Sequence, residues 1–172
     1  PEERRWLLPS PSQIFSFIFD HLPAFWEGAV ETGTASALGL FTGALAGFII
    51  ATIFHLIPSF ERSLLPFVST LPAVPIVSIA PLVAVWFGFG LSSRIVIVAF
   101  ITFFPVLVTV LAGLSTGYRA QREYCMAVGA PFNKRLLYMD LPAALGYFAA
   151  GLKAAAPVAV VGAIVAEYVA PK

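Results

Sequence analysis

Between Thr32 and Phe60 the chain carries no Asp, Glu, Lys or Arg, and the same holds from Ser63 to Ser93 and from Ile95 to Tyr118. From Leu141 to Ala166 the only charge is Lys153. Each interval matches or exceeds the ~20 apolar residues that carry a helix across a ~30 Å hydrocarbon layer. In lipid a backbone must satisfy its own hydrogen bonds, and runs this long suit helices rather than the ~10-residue alternating strands of a barrel. The expected fold is therefore all-α, a polytopic transmembrane helical bundle. Its four spans fall near 34–57, 65–87, 95–116 and 143–166, in a membrane domain over 33–172 that follows an external or interfacial segment over 1–32.

Composition narrows the function. Of 172 residues, 59% are hydrophobic and 11% charged, against about 25% charged in a soluble domain. Such a chain cannot coat a water-exposed surface. Ten Lys and Arg against nine Asp and Glu leave a net charge of +1, which argues against nucleic acid as a partner and leaves membrane lipid. A lone cysteine, Cys125, excludes a disulfide scaffold. There is no G-x-x-x-x-G-K-[ST] phosphate loop, HExxH, CxxC or GxSxG element, and the two histidines, His21 and His55, lie far apart. We expect no catalytic residue, no metal site and no cofactor on this chain. If it moves a solute uphill, another subunit supplies the energy.

Local signals add detail. Ser10-Pro11-Ser12-Gln13 combines an N-cap, a proline at the first helical position and a glutamine for a capping box, opening an interfacial helix. Small residues recur every fourth position as Ala35, Gly39, Gly43, Gly47 and Ala51, and again as Gly151, Ala155, Ala159 and Ala163, which predicts close helix packing. Pro66, Pro72, Pro75 and Pro81 interrupt the second span and predict a kinked or partly unwound helix. Freed carbonyls are tolerated in a bilayer only against protein or a water-filled cavity, so Pro72 and Pro75, with Trp86 and Phe104, are candidates for lining a permeation path. Lys153 either snorkels toward the cytoplasmic interface or faces that path. Glu167 closes the last span on the outer side, and His55 reads as a packed or interfacial histidine. The densest basic cluster, Arg119, Arg122, Lys134 and Arg135, places the 117–142 loop in the cytoplasm.

That loop carries a spacing of its own. Arg119 to Val128 holds good helix formers, Gly129 stops them, and a second short helix from Pro131 leads into the last span, making a protruding knob. Glu123 is followed after five residues by Gly129, and nine residues later by Met139-Asp140-Leu141-Pro142. This resembles the loop of bacterial ABC importer permeases, in which Glu-Ala-Ala, three residues and Gly precede nine residues and Ile-x-Leu-Pro. Tyr124 and Cys125 stand in place of the alanines, and Met139 in place of the isoleucine. Leu71-Pro72-Ala73-Val74-Pro75, Ala80-Pro81-Leu82, Trp86-Phe87-Gly88, Phe104-Pro105 and Gly151-Leu152-Lys153 extend the likeness, toward the nitrate, sulfonate and taurine branch. That branch also includes permeases for pyrimidine thiamine precursors and riboflavin.

The resemblance implies a multi-pass permease subunit of the bacterial inner membrane with six spans, one lying before Pro1 and one after Lys172. Its partners would be ABC ATPase subunits, a second permease copy as a homodimer, and an external solute-binding protein, with ATP and Mg held by the ATPase. Arg122, Glu123, Ala127, Gly129, Ala130 and Pro142 would form the coupling site. The alternative, an ATP-independent secondary carrier or channel, calls for intramembrane charges or an internal repeat that the sequence does not offer.

Overall fold

The computed structural model describes residues 10–115, 124, 125, 127 and 129–169. Among the described residues the α-helices with defined bounds are, in order, α1 (Pro11–Asp20), α2 (Leu22–Leu56), α3 (Pro58–Thr70), α4 (Ile76–Phe87), α5 (Leu91–Ser115), α6 (Phe132–Arg135) and α7 (Leu141–Val169). A 3-10 turn, Leu71–Ala73, joins α3 to α4, and a π-turn, Leu136–Asp140, joins α6 to α7. The predicted capping box opens α1: the Gln13 amide donates to Ser10 Oγ, and the Ser10 amide donates back to Gln13 Oε1 at 3.0 Å. The expected boundary between 32 and 33 falls inside α2, which runs unbroken for 35 residues, about 52 Å.

The bundle is built around α5, which buries residues on two faces, among them Val98 and Thr102 toward one neighbour and Val106 and Val110 at its centre. The small stripe of α2 lies on one side of it, with Ala35, Gly39, Gly43, Gly47 and Ala51 all buried. A Cβ on Gly39 would collide with the Val98 side chain, and one on Gly47 would come within 2.8 Å of the Phe103 carbonyl. The two backbones are therefore in near contact. On the other side α7 presents Gly151, Ala155, Ala159 and Ala163, and a Cβ on Gly151 would strike Thr109 and come 3.2 Å from Val106 Cα. Where lipid offers helices no hydrophobic drive to associate, approach of this kind supplies the packing energy.

These contacts fix directions. Gly39 meets Val98, Gly43 meets Thr102 and Gly47 meets Leu107, so α2 and α5 run parallel. Gly151 meets Thr109 while Gly162 meets Ile101, so α7 runs against both. The chain leaves α2 at one end of the bundle and must enter α5 at the other. What carries it back is the proline-rich segment: its arms Ser63–Ala73 and Ile76–Phe87 meet at 97°. Leu65 and Val68 pack against the core cluster that includes Ala51, Phe54, Val110 and Leu114, whereas Ala80 and Val83 belong to the cluster with Ile97 and Ala166, so the bent pair climbs the bundle. It is thus a broken span joining opposite ends, not a loop returning to its starting side. The expected kink is a right-angled break, because Pro72 and Pro75 flank Val74, whose backbone is extended.

Near the α5 start an ion cluster ties the three long helices together. Arg94, 5% exposed, sits 3.4 Å from Glu31 Oε2 on α2 and 3.3 Å from Glu167 Oε1 on α7, and the Thr32 hydroxyl donates to the same Glu167 oxygen at 2.7 Å. Both carboxylates remain partly solvated, which tempers the desolvation cost. Arg94→Leu removes the cation from between two carboxylates. We expect a loss of about 2–4 kcal/mol, measured as a lower Tm in detergent, with Arg94→Lys recovering part of it.

Candidate functional site: the loop between α5 and α7 and the apolar cavity

At the far end of the bundle, where α2 and α5 finish and α7 begins, the chain makes its knob. Of the six residues that the resemblance assigns to coupling, Arg122 and Glu123 lie outside the described residues. Ala127 is exposed, and Gly129 follows with φ of +65°, a backbone conformation that L side chains resist. The Ala130 amide donates to the Cys125 carbonyl at 2.9 Å. A six-to-one bond of this kind across a left-handed glycine is a Schellman closure, which ends one helix and turns the chain sharply. Pro142 is exposed in the first turn of α7.

The return limb is anchored in the bundle by groups that no spacing in the sequence links. Asp140, at the end of the π-turn, is fully buried. Its Oδ2 lies 3.2 Å from His55 Nε2 at the end of α2 and 3.5 Å from Arg135 Nε on α6. π-turns widen the helix by one residue and often occur at functional positions. Here the turn sits between the knob and α7, and the His55–Asp140 pair bridges 85 positions of sequence to hold it against α2. The return limb is thereby tied to α2 as well as to α7. Phe48 and Phe148, with ring centroids 5.4 Å apart at 78°, reinforce the same junction.

A cavity of about 640 Å³ opens beside the broken span. Pro72 and Pro75 line it from the break, Phe104 from α5, and Val158 and Val161 from α7. Three of the four candidate path residues are thereby brought together. The fourth, Trp86, lies elsewhere, 75% exposed near the end of α4. Among the described residues no cluster of His, Cys, Asp or Glu could hold a metal ion.

Three long apolar helices and a broken fourth crossing define a polytopic membrane protein. Residues 11–172 match the family described as the inner membrane component of binding-protein-dependent transport systems, and the chain belongs to that family. It is 35% identical over 164 residues to a Haemophilus influenzae protein that carries the name probable ABC transporter permease protein, covering 95% of this chain and 67% of that one. It is 30% identical over 171 residues to the formylaminopyrimidine transport permease protein ThiX of Halalkalibacterium halodurans, covering 95% and 66%. Against the taurine transport system permease protein TauC of Escherichia coli the identity is 28% over 153 residues, covering 85% and 56%. The chain thus spans about two thirds or less of the length of these relatives. No solved structure matches it.

Proposed function

We propose that this chain is the membrane-spanning permease subunit of an ATP-driven importer that takes a small solute from an external binding protein. The observation that carries the reading is the knob. A helix-stopping turn at Gly129 stands six residues after Glu123, and its return limb is pinned by Asp140 to the end of α2. In this reading the 117–142 loop faces the cytoplasm and docks in a groove of an ABC ATPase subunit. Arg122 and Glu123 fix the docking through charge-assisted hydrogen bonds, with Ala127, Ala130 and Pro142 beside them. ATP and Mg²⁺ stay on the ATPase, and this chain holds no nucleotide.

ATP binding closes the ATPase pair and drags the knob. The stiff α7, joined to the knob through the π-turn, carries the displacement past α5, while the His55–Asp140 pair passes it to α2. The broken crossing is the element most able to give, since its arms meet over Val74 and Pro75 rather than along a ladder of hydrogen bonds. A second copy of the permease completes the path, to which Pro72, Pro75, Trp86 and Phe104 contribute. The solute classes carried by relatives, among them taurine and a formylaminopyrimidine, set the range to try.

Purification of the full-length protein from its own membranes is expected to bring an ATPase subunit with it. In proteoliposomes, ATP and the binding protein together should drive uptake of one of labelled taurine, nitrate, formylaminopyrimidine or riboflavin. A protein that purifies alone and moves solute without ATP overturns the reading in favour of a secondary carrier.

A further inference from the structure

Lys153 lies on α7 opposite the face that packs on α5. Gly151, Ala155 and Ala159 are buried, whereas Lys153 is exposed together with Gly146, Ala149, Ala150 and Pro157. It stands twelve residues beyond Leu141, about 18 Å along the helix. The nearest acidic positions in sequence, Asp140 and Glu167, are both engaged elsewhere, and among the described residues Lys153 has no ion-pair partner. A lysine side chain leans toward the helix N-terminus, yet about 18 Å exceeds the reach of its four-carbon stem, and the residues on the way are alanine and glycine. Pro157 adds an independent demand at the same spot. It brings no N–H, so the Lys153 carbonyl four residues earlier loses its helical donor. An ammonium and an orphaned carbonyl at mid-span are tolerated only against protein or water, and among the described residues nothing covers the Lys153 side chain, which leaves a hydrated path as the partner the proposal takes. The ridge continues to the cavity, because Lys153, Pro157 and Val161 follow at four-residue steps and Val161 lines it.

Resting on the permease reading, we propose that the outward face of α7 lines the hydrated solute path, with Lys153 as a specificity-determining cation for a small anionic solute. The solute class is a sulfonate or a similar singly charged oxyanion, with the lysine acting as a point charge to draw it from the apolar cavity toward the loop end. Neutral solutes gain nothing from it.

The test uses the full complex in proteoliposomes with Cys125→Ser as background and single reporters Ala149→Cys or Ala150→Cys, one turn from Lys153. Two water-soluble thiol reagents are compared, the anionic sulfonatoethyl and the cationic trimethylammonioethyl methanethiosulfonates. We expect both reporters to react, about tenfold faster with the anionic reagent relative to the same pair of rates on a free thiol. Lys153→Gln should abolish that preference and Lys153→Arg should keep it, while Leu45→Cys on the exposed face of α2 stays unreactive. Reporters no more reactive than the cysteine at Leu45, or a preference that survives Lys153→Gln, overturn the proposal while ATP-driven uptake by the same vesicles leaves the permease reading standing. A complex that holds no ATPase and takes up no solute sinks that reading, and this proposal with it.

Discussion

Replacing Gly129 with valine or aspartate is expected to leave the protein in the membrane in normal amounts while removing ATP-driven uptake and the stimulation of ATPase activity by solute-loaded binding protein. The residue is exposed, and among the described residues nothing lies within 4 Å of the position its Cβ would take, so the substitution creates no clash with the helices of the bundle. Its cost is confined to φ of +65°. A left-handed conformation costs a residue with a side chain roughly 1–2 kcal/mol, and a β-branched one more. That shifts the equilibrium between the turn and its alternatives about tenfold against the turn, and coupling falls with the fraction of knobs shaped to dock. Aspartate adds a charge to the same turn. Gly129→Asn separates shape from mere size, because asparagine tolerates this conformation, and it should retain most uptake. Equal uptake by wild type and Gly129→Val would show that the Schellman turn is not the grip.

The parts of this molecule that sequence makes legible are those whose physics is local. The Ser10 capping box depends on four consecutive residues, and the stop at Gly129 on one glycine after a run of helix formers. The four-residue stripes on α2 and α7 announce close packing, because a helix puts such positions on one face whatever lies opposite. The partner of both stripes is another matter. That α5 lies between them is set by tertiary register, and α5 itself bears no comparable stripe.

The ion clusters show the same limit more sharply. Arg94 could be seen as the end of a charge-free run, but its carboxylates lie 63 and 73 positions away in sequence. His55 and Asp140 carry no mutual spacing signal, and the π-turn that ends at Asp140 has no sequence pattern to announce it. Four prolines within sixteen residues promise a broken helix, yet how far it bends depends on where the chain must go. The parallel run of α2 and α5 demands a return crossing, and that demand makes the break at Val74 intelligible. Trp86 illustrates the converse: it stands beside Phe104 among the candidate path residues, but α4 carries it away from the cavity that Phe104 lines.

Gly43→Leu should have the largest effect on the fold. A Cβ at Gly43 would meet Thr102 Oγ1 and the Ala99 carbonyl, with Ala99 Cα at 2.9 Å. Two of those atoms are backbone of α5 and cannot rotate away, so relief requires the helices to separate. Separation at Gly43 also lifts Gly39 and Gly47 from their seats, which strips the α2–α5 interface over several turns. Even Gly43→Ala places a methyl group in this contact and should cost about 1–3 kcal/mol. Leucine is expected to prevent accumulation of folded protein, read as loss of the monodisperse peak in detergent and rapid degradation in the membrane. Gly33→Ala on the same helix is the informative contrast. Nothing lies within 4 Å there, and removing a helical glycine should be neutral or stabilise by roughly 0.5–1 kcal/mol. If Gly43→Leu and Gly33→Ala have the same thermal stability, α2 and α5 do not touch through this stripe, and the parallel arrangement that requires the broken crossing fails with it.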